Sequence, residues 1–389
     1  MDALLQLCAY FNTAPIPRSL LETWVGKNYP SKLANTAGFT LTQAIELLAR
    51  YSIIEATVET ITLHTLVQAV IRDNLTEEEQ KKVCRDGLHF FNKVFNYDLR
   101  DIAKIKTNQL LITHVERVVG QAWELGLEEE MGLDLLEKVA AHLIYRGAFI
   151  EAQNVLNRCL EKAVGWKNET LTARIRNSVG NVLEQLGRYS EAQELYMKTL
   201  QAYKKTYPAD HLSLAGTYTN LGNVLQRIGQ YAEAKEYYEK ALWICGKFYP
   251  AAHPSLAGVH NNLGAVFGEL GQHAEAKEHY EKALQIKKEA YPADHPSLAD
   301  AHNNLGFIFR QLARYVEAKK HYKKALQILG KTYPADHPSL ADIHNNLGTI
   351  FGQVEQYAEA KECYEKALWI YEKVYPADHP SLGTIYNNL

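Results

Sequence analysis

Asparagine pairs are the side chains in this chain best suited to hold a ligand. Asn261-Asn262, Asn303-Asn304, Asn345-Asn346 and Asn387-Asn388 follow one another at steps of 42 residues, and Asn220 fills the second position of the pair one step earlier. Each amide carries two donors and a two-lone-pair acceptor, and asparagine is a poor helix former, so helix propensity does not account for a row of them inside apolar-periodic segments. Such a row can exchange hydrogen bonds with an extended peptide backbone, or it can bridge the segments that carry it; both readings fit the spacing. Asn181, Asn223, Arg227 and Arg310 lie later in the same kind of segment and offer contacts to acidic ligand groups.

Other reactive residue types are arranged less favourably. His253, His295, His337 and His379 recur in front of proline at the same step of 42. Equivalent positions of neighbouring repeats lie about 10 Å apart, too far to share one ion at about 2 Å, so a loop and helix-entry role is expected. His260, His302 and His344 occupy an aromatic position and are expected to pack as neutral rings. No Ser-His-Asp or Cys-His set can be assembled by spacing, and neither a phosphate loop nor a Gly-x-Gly-x-x-Gly turn occurs, so no catalysis, no metal and no cofactor is expected. Cys8, Cys84, Cys159, Cys245 and Cys363 are scattered and odd in number, which suits a reducing compartment rather than a disulfide framework or a zinc site. Forty-two basic against 45 acidic residues, net −3, give no broad footprint for nucleic acid or an anionic membrane. With no apolar run near the roughly 20 residues of a membrane span and no signal-peptide pattern at Met1, a soluble cytoplasmic protein with a protein or peptide partner is expected. Oligomeric state is left open.

The elements that must position the amides are written in the repeat. Tyr-Pro recurs at 207, 249, 291, 333 and 375, and a constant period of this size marks a solenoid, in which each unit buries its apolar face on the next. In the copy from Ser297, Leu298, Ala301, His302, Leu305, Gly306 and Phe309 fall at helical spacing as helix A. From Tyr315, Ala318, Tyr322, Ala325, Leu326 and Leu329 form helix B, which proline ends at Tyr333-Pro334. Gly222, Gly264, Gly306 and Gly348 each cost helix A about 1 kcal/mol against alanine, so close backbone approach is expected there, opposite Ala234 and Ala241 and their equivalents. Tyr238, Tyr280, Tyr322 and Tyr364 are expected to fill the gaps between helix pairs. Full copies start near Leu171, His211, His253, His295 and His337, a last one is cut at Leu389, and residues 133–165 read as a degenerate leading copy.

Leu-Gly and an aromatic in helix A, followed by alanine, an aromatic and alanine in helix B, resemble the tetratricopeptide repeat. Two departures, Tyr218, His260, His302, His344 or Tyr386 at the usual tryptophan position and a period of 42, together with the Asp-His-Pro-Ser-Leu entry, resemble the kinesin light chain type. The resemblance implies an α-solenoid superhelix with helix A facing a concave groove. It also aligns the second asparagine of each pair, Asn262, Asn304 and Asn346, with a groove asparagine that contacts peptide ligands.

Residues 1–75 lack the period. Ala3–Phe11, Pro17–Trp24 and a segment opened by the box Thr40-x-x-Gln43 read as helices, residues 52–57 and 58–63 alternate as a hairpin, and Leu66 to Ile71 returns to helix. That order describes a winged helix. It resembles the winged-helix domain that follows the nucleotide-binding module of NB-ARC or STAND signalling ATPases, in which the histidine of a hydrophobic-His-Asp segment meets the β-phosphate of ADP. Leu63-His64 keeps two of those three residues, and Thr65 replaces the aspartate. The resemblance implies a sensor half of such an ATPase, with His64 as its nucleotide-sensing residue and the ATPase module outside this chain. Five cations and six anions in this stretch suit DNA poorly. Residues 76–130, with a box Thr76-x-x-Glu79 and a helix from Asn108 to Leu125, read as a helical linker, and residues 131–389 as the array. The expected function is a non-enzymatic scaffold that binds an extended peptide.

Overall fold

The computed structural model describes residues 2–28, 41–95, 102–127, 130–376 and 379–389. They divide into two compact units, residues 1–188 and 189–389. Among the described residues there are nineteen helices and three short strands.

The first unit begins with α1 (Asp2–Ala9), β1 (Ile16–Pro17), α2 (Arg18–Asn28), α3 (Leu41–Arg50), β2 (Ile54–Ala56), β3 (Thr60–Leu63) and α4 (Thr65–Asp73). β3 lies between the other two strands, antiparallel to both, with Ile54 opposite Leu63 and Ile16 opposite Ile61. Its alternation puts Ile61 and Leu63 in the core. The hairpin is shorter than the alternation suggests because Ser52 takes a left-handed φ of 54° and the Thr57 hydroxyl accepts from the amides of Glu59 and Thr60, turning the chain early. β1 escaped the sequence reading, since two residues ending in proline carry no period. Gln68 ties α4 to the end of α1 by donating to the carbonyls of Cys8 and Phe11 at 3.4 and 3.3 Å. Thr40, the start of one expected capping box, lies outside the described residues.

Next come α5 (Glu77–Val94), α6 (Ile102–Glu124), α7 (Glu130–Tyr145), α8 (Phe149–Gly165) and α9 (Glu169–Gln185). The Thr76 and Glu79 capping box forms as expected. α6 starts earlier than Asn108.

The second unit holds α10 (Tyr189–Thr206), four A/B pairs and a last A helix, α19 (Pro380–Asn388). The pairs are α11 (Leu212–Arg227) with α12 (Tyr231–Phe248), α13 (Pro254–Glu269) with α14 (His273–Ala290), α15 (Pro296–Gln311) with α16 (Tyr315–Thr332), and α17 (Pro338–Gln353) with α18 (Tyr357–Val374). Their punctuation is physical. The tyrosine of each Tyr-Pro stacks on the histidine four residues on, with centroids 3.8–4.2 Å apart. That histidine is the N-cap of the next A helix. Its Nδ1 accepts the serine amide two residues later at 3.2–3.3 Å, and in the last four copies proline follows as the first helical residue. Sequence reasoning placed these histidines at helix entries but did not foresee the ring stack.

The helix A glycines do bring two groups close, but the partner is not the one expected. A Cβ added to Gly222, Gly264, Gly306 or Gly348 would stand 2.6–2.9 Å from the ring of Tyr238, Tyr280, Tyr322 or Tyr364. Each tyrosine ring therefore lies against the glycine of its own helix pair. An aromatic ring needs more room than an alanine methyl, and only glycine provides it.

Candidate functional site

Asn261-Asn262, Asn303-Asn304 and Asn345-Asn346 sit half-buried at the middle of successive A helices, each pair beside a core leucine, Leu263, Leu305 or Leu347, whereas Asn387-Asn388 are exposed at the end of α19. Stacking of repeats brings the A helices side by side, and the asparagines meet across the seam. Asn304 Nδ2 donates to Asn261 Oδ1 at 2.8 Å, Asn346 to Asn303 at 3.0 Å and Asn388 to Asn345 at 2.9 Å. One step earlier, Thr219 stands where the first asparagine of the pair would be, and Asn262 bonds instead to Asn223, one turn on, at 3.1 Å. Asn223 Oδ1 also accepts the Tyr238 hydroxyl at 2.7 Å. The bridging arrangement is thus built.

It does not exhaust the row. The bridge engages one donor of Asn262, Asn304 and Asn346 and the oxygen of Asn261, Asn303 and Asn345, and an amide has three groups to offer. Among the described residues the Oδ1 of Asn262, Asn304 and Asn346 and the NH₂ of Asn261, Asn303 and Asn345 remain as acceptors and donors. Asn220 is half-buried on α11, and Arg227 is exposed in its last turn. Arg310 sits in the last turn of α15 with its guanidinium 5.1 Å from the Phe307 ring centroid.

In two of the repeats a histidine pair joins helix A to helix B. His260 Nδ1 meets His279 Nδ1 at 3.0 Å, and His302 meets His321 at the same distance. One ring of each pair must donate and the other accept, so at most one of the two can carry a charge. Burial, then the neighbouring ring, then nearby lysines push His260 and His302 down to about 4. His321 falls to about 4 by burial and the Lys320 and Lys288 charges, and His279 and His344 also lie below the ordinary value, mainly through burial. The sequence reading missed His279 and His321, although Tyr237, His279, His321 and Cys363 recur at the repeat step. Among the described residues no group of three or more His, Cys, Asp or Glu side chains is placed to hold a metal ion. Burial raises the Cys8, Cys84 and Cys159 thiols to about 12, which makes them unreactive.

In the first unit the seam between α7 and α9 is ionic. Arg174 reaches Glu130 and Glu137 at 3.0 Å and Asp134 at 2.6 Å, and the Ser178 hydroxyl donates to Glu137 at 2.7 Å. His64 is the half-buried N-cap of α4, directly after β3, and its ring makes no capping hydrogen bond. No helix among the described residues is long and apolar enough to cross a membrane.

Antiparallel helix pairs stacked at a constant step, with a glycine-tyrosine contact inside each pair and polar bridges between A helices, define an α-solenoid repeat protein. The tetratricopeptide repeat model matches six overlapping stretches, residues 133–205, 171–247, 213–289, 255–331, 297–373 and 339–389. The chain belongs to the tetratricopeptide repeat family, whose arrays mediate protein–protein interactions. Similar solved structures include BtubC (BKLC) from P. vanneervenii, 21% identical over 60% of this chain and 95% of that one, TM-score 0.51. The nearly identical TPR-like repeats assigned to a kinesin light chain of Podosopora anserina are 26% identical over 51% of this chain and 94% of theirs, TM-score 0.47. A Signal Transduction ATPase with Numerous Domains (STAND) protein with a tetratricopeptide repeat sensor, from Pyrococcus horikoshii, is 16% identical, matching 100% of this chain and 58% of that one at a TM-score of 0.56. No curated protein matches the chain.

Proposed function

We propose that the array is a non-enzymatic scaffold that holds an extended peptide segment of a partner protein along its A helices. The observation that carries this reading is the set of amide groups left over on Asn261, Asn262, Asn303, Asn304, Asn345 and Asn346 once Asn262, Asn304 and Asn346 have bridged to the preceding repeat. Their step matches the repeat, so a peptide laid along them meets the same donor and acceptor again and again, which is how a groove reads backbone. Asn220, Asn223, Arg227 and Arg310 flank this row. The test is the triple variant Asn262→Ala, Asn304→Ala and Asn346→Ala against a peptide selected on the parent protein. Each lost bridge lowers stability by about 1 kcal/mol, so circular dichroism must first show the array folded. A folded variant that binds as tightly as the parent removes the groove assignment.

A second reading has one specific support, the fold-level match of the whole chain to a STAND protein with a repeat sensor. In that reading the N-terminal helices and three-stranded sheet are a winged helix, and His64 faces the nucleotide of an ATPase module outside this chain. The coding region preceding Met1 then encodes a phosphate loop; finding none there removes the reading.

A further inference from the structure

The same surface cavity forms on the B-helix side of several repeats, and in one of them its charge is inverted. On α12 it is lined by Tyr218, Glu236, Glu239, Lys240 and Trp243, and on α18 by His344, Glu362, Glu365, Lys366 and Trp369. Two carboxylates there outnumber one ammonium. On α16 the equivalent cavity, ≈ 460 Å³, is lined by Lys320, Lys323 and Lys324, with Lys288 from α14 and the neutral His302 and His321 rings.

Local pairing explains why the other copies are quiet. Lys235 pairs with Glu239, Lys277 with Glu281 and Lys361 with Glu365, while Lys240 and Lys366 pair with Glu236 and Glu362. In α16 lysine replaces both glutamates, at 320 and 323, so these pairs cannot form. Among the described residues no acidic partner reaches Lys320, Lys323 or Lys324; Lys324 bonds only to the Gln327 amide, at 3.1 Å. Five lysines and one glutamate give α16 a net charge of +4, against 0 for α12, 0 for α14 and −1 for α18. Like charges three and four residues apart on a helix are mutually destabilising, so the sequence holds an arrangement that weakens the helix unless an anion neutralises it.

We infer that this cavity is a second binding site, separate from the amide row, for an acidic segment of a partner protein, one with several neighbouring carboxylates. Lysines present point charges on flexible stems, and the cavity contains no arginine fork or helix N-terminus to read phosphate geometry. Recognition is therefore by charge density. Lys331, two turns beyond Lys324 on the same helix, lines the next depression together with Lys324 and the Asp294 carboxylate, which ends the purely basic stretch.

The experiment uses the full chain and a fluorescein-labelled octaglutamate peptide, read by fluorescence anisotropy at increasing NaCl. The variant Lys320→Glu with Lys323→Glu gives α16 the charge pattern of the other B helices, so it should fold at least as well as the parent. Binding by the parent that weakens with salt, drops about tenfold or more in that variant and survives Lys320→Arg with Lys323→Arg supports the site. The Asn262, Asn304, Asn346 alanine variant must bind octaglutamate unchanged, which separates this site from the groove. No binding by the parent, or equal binding by the charge-reversed variant, overturns it. Pyrophosphate that displaces the peptide where NaCl of equal ionic strength does not would assign the cavity to a phosphate compound and overturn it too.

Discussion

Ala313 and Glu355 each occupy the left-handed position that closes an A helix, at φ 54° and 62°, where Gly229 and Gly271 stand in the neighbouring copies. The closing bonds are the same with either residue type: Arg314 N–H donates to the Phe309 carbonyl at 2.8 Å and Gln272 N–H to Phe267 at 2.9 Å. A side chain there opposes its own carbonyl by roughly 1–2 kcal/mol, partly offset by the extra freedom glycine gives the unfolded chain. Ala313→Gly and Glu355→Gly should each therefore raise stability by about 0.5–1 kcal/mol, seen as a higher urea midpoint; a lower midpoint sinks the argument. The turn was legible in the sequence from its place between two periodic segments. Its strain was not, because only the observed φ distinguishes alanine in a left-handed cap from alanine in an ordinary loop.

At the scale of the helix pair, the ring contacts between A and B make stability depend on pH. His260, His302 and His321 take up a proton at about 4 in the folded protein, against an ordinary 6.5. Between those values the unfolded chain binds protons that the folded chain refuses, so stability, full above about pH 6.5, falls as pH drops towards 4 and this contribution levels off below it. One repeat already replaces the pair with Tyr218 and Tyr237, ring centroids 5.9 Å apart. A variant carrying tyrosine at 260, 279, 302 and 321 should show a shallower loss of urea midpoint between pH 6.5 and 4. An unchanged slope would show that these rings are not its source. Helix B and its tyrosine were legible from the 3.6 period, but the partner of each helix A glycine was not. Periodicity says which face a residue is on and leaves open which ring reaches across.

The second unit as a whole should behave as a sum of repeats and their interfaces, since each pair touches chiefly its neighbours. Removing residues 295–336 joins Asp294 to His337 and preserves the Tyr-Pro-Ala-Asp-His-Pro-Ser-Leu junction, because that segment is repeated at 291 and 333. In the shortened chain Asn346 would meet Asn261 in place of Asn303. It should keep its helical content per residue by circular dichroism, lose stability, and lose octaglutamate binding together with α16; an unfolded product sinks the nearest-neighbour account. The sequence by itself determined the repeat, its helix boundaries and the place of the amides, because a constant period, proline stops and capping residues act over a few neighbours. Tertiary structure alone decided what those amides and rings touch. It showed that the second asparagine of each pair bridges backwards to the preceding repeat, that tyrosine lies on glycine inside the pair, and that four lysines from two helices line one cavity. Such contacts join residues on different helices, up to a whole repeat apart, and their existence depends on how one helix packs on the next.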